Sequence, residues 1–196
     1  MERATEFQSV SAAGRLIRSG SQPVQVRALI LAPLLFFLCT VLSAQTIYLN
    51  AGGPAVPGIM TPTYQADQWF SGGAIWNEAS PGYDPPGTGA LATLRYGPVF
   101  SYDVPVHNGF YSITFHLVEP NKTGPGQRLF TITANGIQSD PLDIFALAGF
   151  AKLDHPVTLF VLVGNGHLRI TFAASLGNAV VSAMDIVAVA NPLGWR

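Results

Sequence analysis

The sequence predicts an all-β fold: a β-sandwich of jelly-roll type with long Gly/Pro-rich loops and one short helical turn. Three observations carry that expectation. Apolar and polar residues alternate over several short segments, the period of a half-buried strand. Turn signals, Asn-Gly above all, separate those segments at fairly even spacing. The 196 residues include 20 glycines and 15 prolines, which suits turns far better than helices.

The first 44 residues stand apart from this pattern. Residues 1–27 are polar and carry Arg3, Arg15, Arg18 and Arg27 against Glu2 and Glu6. Residues 28–41 form an apolar run through Leu34, Leu35, Phe36, Phe37 and Leu38, and Leu42, Ser43 and Ala44 close it. A basic stretch, an apolar stretch and a small-residue end read as a secretory signal peptide over residues 1–44, with Ala44 before the cut. The rival is an anchor retained through residues 28–44, although that run falls short of the ~20 apolar residues of a spanning helix. Cys39 lies inside the run, so cleavage leaves a chain without cysteine and without thiol chemistry. Phe37 and Leu38 are too large for a lipoprotein cleavage box.

Residues 45–196 hold nine acidic against six basic side chains, a net charge of -3. That balance lacks the basic face of a nucleic-acid binder. With 48% hydrophobic and 11% charged residues, the chain is not disordered. About 150 residues bury roughly two-thirds of their unfolded surface, enough for one core.

Residues 45–50 open the fold as a strand through Ile47, Tyr48 and Leu49. Residues 51–98 are rich in Gly and Pro, with pairs such as Gly52-Gly53-Pro54, Gly72-Gly73 and Pro85-Pro86-Gly87. Such a stretch turns often and predicts few long elements. Its aromatics Tyr64, Trp69, Phe70, Trp76 and Tyr83 point to a packed or binding loop. Phe100, Tyr102 and Val104 then alternate with Ser101 and Asp103 in a strand, and His107-Asn108-Gly109 turns the chain. Residues 110–118 place Tyr111, Ile113, Phe115 and Leu117 on one face. Residues 128–134 are a strand ended by Asn135-Gly136, and 142–147 a helical turn stopped by Gly149. Residues 157–163 and 168–172 flank Gly164-Asn165-Gly166, and 179–189 form the last long strand.

The motif inventory argues against catalysis and calls for no cofactor. His107, His116, His155 and His167 show no metal-ligand spacing, and His107 and His167 sit beside turns. Asp140 and Asp143 are the closest carboxylate pair, but they precede the helical turn, where capping explains them. No Gly-x-Ser-x-Gly elbow and no phosphate loop occurs. The aromatics Trp69, Phe70, Trp76, Tyr83 and Tyr96 suit a saccharide, whose apolar ring face matches an aromatic face. Their competing role is core packing with a polar tip outward.

An ordered set of short pieces resembles the malectin domain family of carbohydrate-binding modules. The pieces are Leu49-Asn50-Ala51-Gly52-Gly53, Arg95-Tyr96-Gly97, Phe100-Ser101-Tyr102-Asp103-Val104-Pro105-Val106, Asn108-Gly109-Phe110-Tyr111 and Phe115-His116-Leu117-Val118-Glu119. They continue with Gly126-Gln127-Arg128-Leu129-Phe130, Asn135-Gly136, Asp143-Ile144-Phe145, Ala148-Gly149 and Ala179-Val180-Val181-Ser182-Ala183. The resemblance runs from Ile47 to about Val189.

In the animal lectin of that family, aromatics and one aspartate contact a glucose disaccharide. The resemblance implies Tyr96 as one of those aromatics and Trp69 or Phe70 as a second. It sets Asn121 and Lys122 where an aromatic pair is expected, and Asn178 near the place of the aspartate. It also includes Glu119 and Arg128, which bracket residues 120–127; a buried pair between them would order that loop.

The expected function is therefore a secreted, non-catalytic module for a glucan-type or other oligosaccharide. Its site is Tyr96, Trp69, Phe70, Asn121, Lys122 and Asn178, with no metal and no nucleic acid. A membrane is involved only if the N-terminal apolar segment is retained. The alternatives are an extracytoplasmic protein-interaction or structural domain that kept the fold and lost the sugar site, and a cryptic hydrolase. Asn121-Lys122-Thr123 is also a glycosylation sequon in a eukaryotic secretory pathway.

Overall fold

Alternating apolar residues build two antiparallel sheets that close on one core. The computed structural model describes residues 45–57, 62–77, 89–148 and 154–190. The expected signal peptide or anchor, Cys39, Tyr83 and the end of the chain lie outside the described residues. The strands are β1 (Thr46–Asn50), β2 (Phe70–Asn77), β3 (Thr93–Pro105), β4 (Gly109–Val118), β5 (Leu129–Ala134), β6 (Ile137–Gln138), β7 (Asp154–Val163), β8 (His167–Leu176), β9 (Ala179–Val181) and β10 (Ala183–Val189). One short helix, α1 (Ile144–Ala148), precedes β7. One sheet has the order β1-β10-β4-β7; the other runs β2-β3-β8-β5-β6, with β9 also paired to β3.

The inner faces follow the period-two pattern. Ile113, Phe115, Leu117, Met184 and Ile186 from the first sheet meet Phe100, Tyr102, Phe130, Ile132 and Phe172 from the second, all buried. The rings of Phe100 and Phe172 stack at 4.6 Å, and Phe115 meets Phe172 edge-on at 5.7 Å across the sandwich.

Four expectations change. Residues 51–98 are not all loop, because β2 and the first part of β3 lie within them. Gly72 and Gly73 both take positive φ, 76° and 71°, and β2 slips register there, so the Gly pair forms a bulge inside a strand. The strand expected at 179–189 breaks at Ser182, with β9 in one sheet and β10 in the other. Ser182 donates its N–H to the His116 carbonyl (2.9 Å) and accepts from the Ala51 N–H (2.8 Å), so no backbone group is orphaned at the crossing.

Of the three Asn-Gly turns, only Asn135-Gly136 closes a hydrogen-bonded hairpin, β5 to β6. The turn at 107–109 and the turn at 164–166 each carry the chain from one sheet to the other. Asn108 Oδ1 accepts the Gly166 N–H at 2.7 Å, which ties the two crossings together.

The long connection from β1 to β2 is pinned by Asp67. Its Oδ2 accepts from the Gly52 N–H (2.7 Å) and from Arg95 Nε (2.9 Å), and its Oδ1 accepts from the Tyr102 hydroxyl (2.9 Å). Burial and the Asp67 charge push the Tyr102 hydroxyl far above its ordinary pKa.

Candidate functional site

Three pieces of chain meet at one end of the sandwich: β2 with the start of β3, the 119–128 loop between β4 and β5, and the 177–178 turn between β8 and β9. On β3, Tyr96 pairs with Ala74 on one side and Val180 on the other, and Leu94 pairs with Trp76. Cross-strand partners share a face, as do residues two apart, so Trp76, Leu94, Tyr96 and Val180 make one surface. The rings of Trp76 and Tyr96 meet edge-to-face, 6.2 Å apart at 79°.

The loop is built on an ion pair. Glu119 follows β4 and Arg128 precedes β5, with side-chain exposures of 0% and 4%. Arg128 Nε donates to Glu119 Oε2 at 2.6 Å and Nη2 donates to Oε1 at 3.1 Å. A lone buried carboxylate is costly, and this two-point contact is what makes it tolerable.

The same pair sets the loop backbone. Glu119 Oε1 also accepts the N–H groups of Asn121 (3.1 Å) and Lys122 (2.9 Å). Arg128 Nη2 donates to Asn121 Oδ1 at 3.3 Å, and Nη1 donates to the Asn178 carbonyl. Asp143 accepts from the Ala146 N–H at 3.1 Å, as a helix cap should, and also from the Gly126 N–H in the same loop. Gly177 takes φ 69°, and a Cβ there would lie 3.3 Å from the Gln127 carbonyl oxygen, so the 177–178 turn packs directly on the loop.

These pieces surround an open cleft of about 80 Å³. Its walls are Trp76, Tyr96, Leu94, Val180 and Pro120, and its polar groups come from Asn121, Lys122, Arg128 and Asn178. Sites that enclose a whole small molecule measure ~300–1,000 Å³, so this cleft has room for only part of one. Among the described lining residues there is no Asp or Glu.

The structure thus brings together Tyr96, Asn121, Lys122 and Asn178. It places Trp69 and Phe70 elsewhere. Phe70 pairs with Tyr102, six positions along β3 from Tyr96, and its ring carries the Arg95 guanidinium, with Cζ 3.4 Å from the centroid. Trp69 is half-buried against the main core at φ 61°, and its carbonyl accepts the Asp103 N–H at 2.9 Å. The ring that faces Tyr96 is Trp76. Strand alternation through β2 would have pointed to it, but the Gly72-Gly73 pair hides that strand.

A second polar cluster lies away from the cleft. His116 on β4 sits between Asp154 (Nδ1 to Oδ2, 2.8 Å) and Asp185 (Nε2 to Oδ2, 3.3 Å). The first contact is a hydrogen bond; the second is off a hydrogen-bonding line and acts as charge attraction. Burial alone would lower the His116 pKa, yet the two carboxylates outweigh it and hold it up at about 9. The Tyr64 hydroxyl donates to Asp185 Oδ1 at 2.8 Å and ties the β1–β2 connection to this group. The imidazole thus lies between the two carboxylates. Among the described residues no three His, Cys, Asp or Glu side chains are placed to hold a metal ion.

The profile of the malectin domain matches residues 45–189. The chain belongs to the malectin domain family. Solved structures that share the malectin fold include the ANX2 ectodomain from Arabidopsis thaliana, 17% identical over 76% of this chain with a TM-score of 0.64. The ANXUR2 extracellular domain from the same plant is 19% identical over 76% of the chain with a TM-score of 0.63. A beta-glucuronidase from Bacteroides uniformis is 15% identical over 74% with a TM-score of 0.63. The malectin chain spans about half of the two plant ectodomains, 52% and 50%, and 18% of the glucuronidase. At these identities the likeness is one of fold. No curated protein gives a match. Among the described residues, no helix of this malectin domain is long and apolar enough to cross a membrane.

Proposed function

We propose that this malectin domain is a non-catalytic carbohydrate-binding module whose site is the cleft between Trp76 and Tyr96. One observation carries the reading: an aromatic pair stands over a cleft at whose rim the buried Arg128–Glu119 pair holds the Asn121 amide and the Asn178 backbone. Aromatic edges and faces take the apolar side of a sugar, while rim amides meet its hydroxyls. Among the described lining residues there is no carboxylate pair of the kind that hydrolyses a glycosidic bond. The segment 1–44 supports export, with residues 45–196 as the working module outside the cytoplasm.

A glycan array probed with the full chain tests this, followed by calorimetry on each hit with Trp76→Ala. Loss of binding in a folded variant supports the site; binding that survives intact rejects it.

One observation favours a second reading, a protein-interaction domain. Phe160 and Leu162 on β7 are 62% and 58% exposed, and β7 is the edge of its sheet. An exposed apolar pair at a sheet edge suits a protein partner, and an array with no hits would turn the choice that way.

A further inference from the structure

Among the described residues, the charged groups of the cleft and the group they fix, Arg128, Lys122 and Asn121, present donors, while the Asn178 amide and the Tyr96 hydroxyl can donate or accept. Arg128 has five N–H donors. Four are used, on both Glu119 oxygens, Asn121 Oδ1 and the Asn178 carbonyl, which leaves one. Because a guanidinium only donates, Asn121 must present its oxygen to Arg128, and its NH₂ group remains for a ligand. The Asn178 backbone carbonyl already accepts one hydrogen bond, from Arg128. Lys122 adds three donors. Its backbone is fixed by Glu119, but among the described residues its ammonium has no carboxylate partner.

The charges are as lopsided as the donors. Glu119 is fully buried and cancels Arg128. Among the described residues no other carboxylate lines the cleft, so within them Lys122 is a positive charge without a partner. A neutral sugar hydroxyl can accept from these donors, but it brings no charge to meet Lys122 and carries a donor of its own. A carboxylate is acceptor-only, carries the opposite charge and takes two donors side by side.

On the basis of the saccharide reading above, we infer that the cleft selects an acidic saccharide, one carrying a uronate carboxylate, and that Lys122 is the specificity-determining residue. The carboxylate sits against the Lys122 ammonium and the remaining Arg128 N–H, and the sugar ring lies against Trp76 and Tyr96. Lys122 is half-exposed, so the attraction is screened by salt.

The test is an array in which each oligosaccharide is present as the uronate, as its carboxyl-reduced neutral counterpart and as a sulfated form, probed with the full chain. The expected result is binding to uronate members about tenfold tighter than to their reduced counterparts, the size of one charge-assisted contact. That preference should fall with added salt, vanish in Lys122→Gln and return in Lys122→Arg. Among the described residues the Lys122 side chain makes no hydrogen bond or ion pair that these changes remove, and an unshifted thermal melt verifies the fold of each variant.

Equal binding to uronate and neutral members overturns the inference but leaves the saccharide reading standing. So does a uronate preference that survives Lys122→Gln. Tighter binding to sulfated members overturns the carboxylate assignment. Binding to no member overturns both readings together.

Discussion

Glu119 accepts both Arg128 Nε and Arg128 Nη2 with no solvent exposure of its own, and the same carboxylate holds the backbone of the loop between them. Removing one partner strands the other charge in the interior. Glu119→Ala should therefore destabilise the protein by about 3–5 kcal/mol, read from urea or guanidinium melts. Replacing both, Glu119→Leu with Arg128→Met, should recover much of that loss, since a buried pair is rarely better than well-packed apolar groups. Binding should not recover, because Asn121 and Asn178 lose their shared anchor. If the single variant melts like the parent, the pair does not organise the loop.

The His116 group gives a pH signature. Its folded pKa of about 9 lies above the ordinary 6.5, so the charged form is favoured in the folded state. Its contribution is fully present below the unfolded value and is lost as pH rises through about 9. The shift corresponds to an upper figure on the order of 3 kcal/mol. Stability should thus fall between roughly neutral and alkaline pH, and His116→Gln should flatten that slope while lowering stability at neutral pH. Denaturant melts over this range check it; an unchanged slope in His116→Gln would assign the pH dependence to other groups.

Gly52 tests how tightly the β1–β2 connection lies on β3. It takes φ 75°, and a Cβ there would sit 2.5 Å from the Leu94 carbonyl oxygen, a backbone atom that cannot swing aside. Gly52→Ala combines left-handed strain with that clash and should cost about 3 kcal/mol or more. A thermal melt decides; a fall no larger than that of an exposed Gly→Ala change, such as Gly136→Ala, would mean the approach is looser.

Much of the architecture is legible in the sequence because strands β4, β5, β7 and β8 bury one face each and so alternate cleanly. What stays hidden depends on what lies across from a residue. Asn-Gly at 108–109 reads as a hairpin, yet the chain there changes sheet, and only the partner strand tells the two apart. Residues 179–189 read as one strand because β9 and β10 are both buried on both sides of Ser182. Gly72-Gly73 reads as a loop, although a bulge keeps the strand going.

The same limit applies to the site. Glu119 and Arg128 can be paired from sequence, since two charges bracketing one loop inside a β fold have little else to meet. Tyr96, Asn121, Lys122 and Asn178 gather in the cleft where the resemblance sets them. The facing aromatic depends on register: a bulge puts Trp76 opposite Leu94 and carries Phe70 away to Tyr102.

That register yields the last prediction. If a sugar ring lies against Trp76 and Tyr96, Trp76→Ala removes one wall at a side chain already 36% exposed, so its effect on folding should be small. An aromatic contact is worth about 0.5–1.5 kcal/mol beyond burial, a loss of about twofold to tenfold in affinity. Tyr96→Ala should cost both affinity and stability, because Tyr96 also packs on the main core. Tyr96→Phe keeps the ring and isolates the hydroxyl. Phe70→Ala is the control: it removes the Arg95 contact at 3.4 Å and should lower stability without touching affinity. Calorimetry with one glycan hit, paired with a melt of every variant, separates the cases. Affinity lost in Phe70→Ala and kept in Trp76→Ala would move the site away from the Trp76–Tyr96 cleft and toward the Arg95 face.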